Sequence, residues 1–208
     1  MRIGIDIDNT ISNTEELFLD LANNYMTSKN ISVEEFNDKY LEDFYIKNIL
    51  KIINNNTLKP GFREVFEKIS LDNEIIIVTA RSDGYIPGFD RMAEVTKSWL
   101  LSNGIRFDKY YGSCYKEGKA KVCVDEKIDL MIDDDFNNYL ACKKMNINTL
   151  LFDDKKRYLD IADRVESWEE IEKIILDLEW LFWIVIFFHI ISHKLTIIRQ
   201  QLSSMIKL

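Results

Sequence analysis

Two acidic side chains in Asp6-Ile7-Asp8-Asn9-Thr10 stand two residues apart, directly after an apolar, β-branched run. On a continuing strand both would project to one face. Carboxylates that close repel unless a cation or a shared proton intervenes. An acid at the end of a buried strand is costly without such a partner. The pair therefore suits metal-assisted carboxylate chemistry or an ordinary turn, in which Asp and Asn are common. Thr79-Ala80-Arg81-Ser82 follows a second apolar run. Its hydroxyls, amides and guanidinium can bind phosphate oxygens or form a capped turn. Asp133-Asp134-Asp135 follows a third run. Hard oxygen ligands of this kind suit Mg2+, and acids also favour a helix start. Lys119 precedes this last group, with Lys116 and Lys121 nearby.

The elements that must position these groups are legible from periodicity. Residues 2–7, 75–78, 130–132 and 149–152 read as buried strands, and 107–111 as a short one. Residues from about 13 to 70 read as mostly helical. Ser12-Asn-Thr-Glu15 and Ser32-Val-Glu-Glu35 have capping-box spacing, as does Ser167-Trp-Glu-Glu170 before a last helix. Lys59-Pro60-Gly61 marks a turn ahead of a helix over 62–69. Further helices are predicted over 92–101, stopped by Asn103-Gly104, over 119–126 and over 137–145. Strands alternating with helices imply parallel βαβ units and an α/β fold. In such sheets sites form at the carboxyl ends of strands, where the acids and the threonine fall.

In combination these groups are far more specific than singly. Gly4-Ile-Asp-Ile-Asp-Asn-Thr-Ile11, Ile75-Ile-Ile-Val-Thr-Ala-Arg81, Lys119-Ala-Lys-Val-Cys123 and Leu130-Met-Ile-Asp-Asp134 resemble the haloacid dehalogenase (HAD) superfamily of phosphohydrolases. Glu94-Val-Thr-Lys-Ser-Trp-Leu100 and Arg164-Val-Glu-Ser-Trp-Glu-Glu-Ile171 are similar to its 5'(3')-deoxyribonucleotidase branch, bacterial nucleotidase-like members included. The resemblance covers residues 1 to about 176. It implies a Rossmann-like core with a parallel sheet over 1–12 and 71–177, and a helical cap over 13–70 inserted after the first strand.

The resemblance also implies the chemistry. Asp6 would be the nucleophile that forms an aspartyl-phosphate, and Asp8 the acid and then the base. Mg2+ would sit on the Asp6 carboxylate, the Asp8 backbone carbonyl and an acid of the Asp133-Asp134 pair, with Asp134 favoured for direct contact. Thr79 and Lys119 would hold phosphoryl oxygens, and Arg81 is a further candidate for that task. The implied substrate is a nucleoside monophosphate; the alternative is a sugar phosphate or another small phosphomonoester. A phospho-receiver module also gathers acids, Thr and Lys on an α/β sheet. The order here, with Lys119 ahead of Asp133 and a helical insert after the first strand, counts against it. Phe18, Tyr25, Phe44 and Tyr45 in the insert could stack on a base or form the insert's own core.

Composition sets outer bounds. A chain of 208 residues, 47% hydrophobic and 30% charged, has the balance of a folded protein. Its net charge of −8 makes sequence-independent nucleic-acid binding a poor candidate. Three cysteines without metal-type spacing favour a reducing compartment, and with it a cytoplasmic location. Residues 178–208 stand apart as an apolar and basic extension, whose run from Trp180 to Ile191 is short of a membrane span. The expectations for it are a membrane surface, packing against the core or, by self-association, a second subunit, or a segment foreign to the family fold, since the resemblance stops near residue 176.

Overall fold

A computed structural model of the chain describes residues 1–84 and 89–180. Met1–Glu169 form one compact unit, and the chain from Glu170 onward forms a second. The first unit is built on six parallel strands: β1 (Arg2–Ile5), β2 (Glu74–Val78), β3 (Lys109–Tyr111), β4 (Leu130–Asp133), β5 (Thr149–Phe152) and β6 (Arg164–Val165). Their spatial order is β3-β2-β1-β4-β5-β6. The order reverses between β1 and β4, which opens a crevice at their carboxyl ends. Strand β6 leaves no sequence signal, because two residues are too few to show a period.

The strands are buried as their composition predicts. Ile75, Ile76, Ile77 and Val78 are all within 1% of full burial, as a strand covered on both faces requires. Gly4 is needed where β1 passes its neighbours. A Cβ there would lie 2.7 Å from Met131 Sδ and 2.9 Å from Ile128 Cδ1. Register aligns the site. Ile5 pairs with both Ile77 and Ile132, so the residues following each strand emerge side by side. β1 stops two residues before the expected end: the Asp6 N–H still bonds the Ile132 carbonyl at 3.0 Å, and beyond it the chain leaves the ladder.

Between β1 and β2 lie α1 (Thr14–Lys29), α2 (Val33–Glu35), a π-helical turn Phe36–Tyr40, α3 (Leu41–Asn54) and α4 (Phe62–Ile69). α1, the π turn and α3 share a core of Ala22, Phe36, Phe44 and Ile52, packed by Phe18 and Tyr25. The rings meet edge to face: Phe44 lies 5.5 Å from Phe18 and 5.3 Å from Phe36. Ser32 caps α2 as its spacing predicts, its hydroxyl accepting from the Glu35 N–H. The Ser12 capping box does not form. Ser12 Oγ bonds the Ile7 carbonyl, and Asn9 Oδ1 accepts the Glu15 N–H at 2.8 Å instead. Asn9 reaches that position by adopting a left-handed backbone, φ 57°, which Asn tolerates. The segment leaves and rejoins the sheet through two adjacent chains: Asn13 N–H bonds the Thr57 carbonyl and Lys59 N–H the Ile11 carbonyl.

The remaining crossovers are α5 (Met92–Ser102), α6 (Glu117–Asp125) and α7 (Phe136–Lys144). The Asn103-Gly104 stop on α5 is real, with Gly104 at φ 78°. A final helix, α8, runs over 168–180. No helix among the described residues is long and apolar enough to cross a membrane. The expectations for the extension concern residues that lie, from 181 on, outside the described ones.

Candidate active site

Asp6, Thr79, Lys119, Asp133 and Asp134 converge on the carboxyl ends of β1, β2 and β4, and Asp8 and Arg81 pair alongside. Asp6 follows β1, and Asp133 closes β4 beside it. Lys119 projects from α6 between them and is fully buried. Its Nζ lies 2.7 Å from Asp6 Oδ1 and 2.5 Å from Asp133 Oδ2. Removing a lysine from water is costly, so burial pulls its pKa down; the two carboxylates reverse this and hold it charged well above the usual range. Asp133 is also fixed by Asn138 Nδ2, at 3.1 and 3.2 Å, and by the Asp135 N–H at 2.9 Å. Both of its oxygens are therefore occupied.

Asp134 has a different setting. Its carboxyl is pushed well above the ordinary range by burial and then by the charges of Asp6 and Asp133; a hydrogen bond with Asn9 opposes the shift only in part. Asp6 is raised to about 7, by burial first and by Asp133 and Asp8 in addition, while Lys119 pulls it back. Ligand oxygens of Asp6, Asp133 and Asp134 lie within 4.8 Å of one another. Three hard donors at that spacing, one of them with no lysine partner, fit a divalent cation such as Mg2+. Occupation by a cation would offset the burial, and the mutual repulsion added to it, that raise the Asp6 and Asp134 carboxyls.

Asp8 stands apart from that cluster. Arg81 Nη2 donates to Asp8 Oδ1 at 2.6 Å and Arg81 Nε to Oδ2 at 3.0 Å, a two-pronged pair. Thr14 Oγ1 donates to Asp8 Oδ1 at 2.6 Å. Burial alone would raise the Asp8 pKa, but the Arg81 charge and these hydrogen bonds outweigh it, and the net shift is downward. Arg81 is itself held by Thr96 and stacks over the Trp99 ring at 5.9 Å. Thr79 is fully buried after β2, its hydroxyl accepting the Arg81 N–H at 3.3 Å.

Three supporting residues have roles that the sequence does not announce, although Asn9 and Trp168 lie inside the motifs that carry the resemblance. Asn138 links Asp133 to the Lys116 N–H, which its Oδ1 accepts at 2.8 Å. Asn9 joins Asp134 to the start of α1. Trp168 Nε1 donates to the Thr10 carbonyl at 3.0 Å and packs edge-on against Phe62 at 4.7 Å, fixing the first acidic loop from below. An Asn beside an acid, or a Trp in a capping stretch, does not tell a hydrogen-bonded support from an ordinary turn or core residue.

Comparison with known proteins agrees with this architecture. No family model matches the chain. A relative named Nucleotidase CA_C3379, from Clostridium acetobutylicum, is 28% identical over 195 residues, spanning 84% of this chain and 93% of the relative. Among solved structures, a HAD-superfamily hydrolase of subfamily IA from Geobacter sulfurreducens aligns with a TM-score of 0.57 at 15% identity, over 83% of this chain and 95% of that one. A protein described as a "predicted phosphatase" from Clostridium acetobutylicum aligns at 0.58 and 14%, over 85% and 98%. The HAD-hydrolase YfnB from Bacillus subtilis, solved with magnesium, aligns at 0.53 and 13%, over 83% and 97%. The chain has the fold of the haloacid dehalogenase-like hydrolases, and its named relative fits the nucleotidase-like branch.

Proposed function

We propose that the chain is a Mg2+-dependent phosphomonoester hydrolase acting on nucleoside monophosphates through an aspartyl-phosphate. The observation that carries this reading is the cluster at the β1–β4 crevice. A carboxylate nucleophile, a fully buried lysine 2.7 Å from it and two further acids share one small volume. The relative named a nucleotidase and the hydrolase neighbours support the same reading.

The physical problem is to bring an anionic phosphate to a carboxylate. Coulomb repulsion must be offset by positive charge held in place before the substrate arrives. Lys119 supplies part of it, oriented by Asp133 and Asn138. Mg2+ held by Asp6, Asp134 and the Asp8 backbone carbonyl would supply the rest, as a Lewis acid on the phosphoryl oxygens. Asp133, engaged by Lys119 and Asn138, would support the ion's site rather than bond the ion directly. Thr79 donates its hydroxyl to the phosphoryl group. Asp6 attacks phosphorus, the ester P–O bond breaks, and the leaving oxygen takes a proton from Asp8. Water then attacks the acyl phosphate, gives its proton to Asp8, and releases phosphate with Asp6 regenerated.

Asp8 must hold a proton at the first of these steps, yet Arg81 holds it ionised in the arrangement seen. Both facts fit if the incoming phosphate draws Arg81 onto its own oxygens. Asp8 then loses its counter-charge and gains proton affinity. The helices between β1 and β2 act as a cap over the site, excluding bulk water during turnover. Asp6→Asn should lower hydrolysis of 4-nitrophenyl phosphate and of nucleoside monophosphates by at least about a thousandfold, with an unchanged circular dichroism spectrum. Wild-type turnover in that variant would refute the assignment.

A further inference from the structure

Three donors hold the Asp8 carboxylate: Arg81 Nη2, Arg81 Nε and the Thr14 hydroxyl, the last at 2.6 Å. Once a phosphate draws Arg81 away, Thr14 is the side-chain partner left to aim Asp8 at the leaving oxygen. Asp8 must then be served in two forms, as an acid that donates and as a carboxylate that accepts. A threonine hydroxyl can serve both only if its single hydrogen has somewhere else to go. Ser12 Oγ supplies that place, 2.9 Å from Thr14 Oγ1. Ser12 is fully buried, and its own hydrogen goes to the Ile7 carbonyl at 3.0 Å. Asn56, on the returning chain, donates one amide hydrogen to Ser12 Oγ at 3.0 Å and the other to Thr14 Oγ1 at 2.5 Å. Both hydroxyls thus present their oxygens to Asn56 and their hydrogens elsewhere. The amide is itself buried, and its Oδ1 finds no partner among the described residues. An unpartnered buried acceptor is costly. Turned the other way, Oδ1 would draw both hydroxyl hydrogens to itself, and Asp8 would lose its donor.

The hydrogens fit in two arrangements, with no heavy atom moved. With Asp8 ionised, Thr14 donates to Asp8 and accepts from Asn56. With Asp8 protonated, the acid donates to Thr14 Oγ1, and the Thr14 hydrogen turns to Ser12 Oγ. Ser12 still donates to Ile7, and Asn56 still donates to both hydroxyls. Every donor keeps an acceptor in either arrangement. We propose that Ser12, Thr14 and Asn56 are positioning residues, a reversible hydroxyl pair and its anchor that keep Asp8 aimed through both halves of the reaction. When Asp8 gives its proton to the leaving oxygen, the Thr14 hydrogen swings from Ser12 to the new carboxylate. When water gives a proton to Asp8, it swings back. Neither hydroxyl gains or loses a proton. The proposal rests on the phosphomonoesterase reading above and adds to it residues that act through Asp8.

The test uses the full chain with Mg2+ and two esters that share one aspartyl-phosphate. The alkyl ester is uridine 5'-monophosphate or ribose 5-phosphate, whichever is cleaved faster, and its alkoxide needs a proton to leave. The aryl ester is 4-nitrophenyl phosphate, whose phenolate leaves without one. In kcat/KM, which reports aspartyl-phosphate formation, only the alkyl ester depends on the acid. Thr14→Val keeps the side chain's shape. It should lower the alkyl-to-aryl ratio of kcat/KM about a hundredfold, the loss expected of a misplaced catalytic group. It should also lower kcat and KM for the aryl ester together, because Asp8 is misaimed for water's attack as well. Ser12→Ala removes the place taken by the Thr14 hydrogen in the acid form alone. It should lower the ratio about tenfold, without the joint fall in kcat and KM. Thr14→Ser keeps the hydroxyl and should restore the wild-type ratio.

Equal losses for the two esters in Thr14→Val would mark a purely structural role and overturn the proposal. So would an unmoved ratio in Ser12→Ala, or a Thr14→Ser variant as impaired as Thr14→Val. In each of these cases the wild-type chain still cleaves both esters and the phosphatase reading stands. A wild-type chain that cleaves neither refutes that reading and the proposal with it.

Discussion

At the scale of single residues, the site is a problem of charge confined to a small volume. Asp6 is the clearest case. Its carboxyl is raised from an ordinary 3.8 to about 7, chiefly by burial. Between those values the folded chain keeps a proton that the unfolded chain has released, so stability falls as pH rises through this window. The carboxylates with lowered values, Asp8 and Glu15 among them, act in the opposite sense and mostly below pH 4.5. In chelator, the melting temperature should therefore decline from about pH 5 to pH 7, with the raised Asp134 carboxyl acting in the same sense. Saturating Mg2+ should flatten that decline, because a bound cation replaces the proton. A chelator profile that rises across the window would show that Asp6 is not confined as described. The sequence alone exposed every acid of this cluster, along with Thr79 and Lys119, because their types and order are distinctive. It did not expose that Arg81 would be committed to Asp8, since an arginine after a strand end has many equivalent partners until the fold chooses one.

At the scale of elements, helix and strand positions followed from the hydrophobic pattern, while local capping followed its spacing at Ser32 and departed from it at Ser12. The strand over 149–152 and the helix over 62–69 stand where their periodicity puts them. Ser12 had the right spacing for a cap but was drawn to the Ile7 carbonyl, and Asn9 took its place from three residues earlier. A capping box assumes that the chain enters the helix freely. Here the entry is dictated by the acidic loop. The π-helical turn Phe36–Tyr40 is another feature that a 3.6-residue period cannot announce. The ring cluster of α1 and α3 is held largely by Phe44, fully buried among Phe18, Tyr25 and Phe36. Phe44→Ala should cost about 3–5 kcal/mol in urea unfolding. By hydrogen exchange, the protection lost should be concentrated in residues 14–54, with the β1, β2 and β4 amides little changed. Uniform loss would mean that these helices and the sheet unfold as one.

At the scale of the whole molecule, a cation held by the acids of the cluster would couple binding to folding. A cation that binds only the folded chain at one hundred times its dissociation constant stabilises it by about 2.7 kcal/mol. For a chain of this size that corresponds to roughly 5–10 °C in melting temperature. Asp134→Asn should remove most of that gain while preserving the fold, as calorimetry with and without Mg2+ would show. An undiminished gain in the variant would place the ion elsewhere. The parallel, α/β character and the carboxyl-end location of the site were readable from alternation alone; the strand order was not, because periodicity carries no information about which strands become neighbours.

One feature of the path between β1 and β2 bears on how such a molecule acquires new preferences. Its outgoing and returning chains are hydrogen-bonded to each other at Asn13–Thr57 and Ile11–Lys59. The loop after β5 clasps both. Lys59 Nζ reaches Asp154 at 2.5 Å, and Lys155 and Arg157 reach Glu15 at 2.9 and 2.7 Å. The intervening helices thus hang from a closed collar whose two ends already touch. Whatever stretch of polypeptide is strung between those ends adds little more than a slowly growing loop-closure entropy. The groups gathered at the strand ends can stay in place while the helices strung between β1 and β2 are exchanged wholesale.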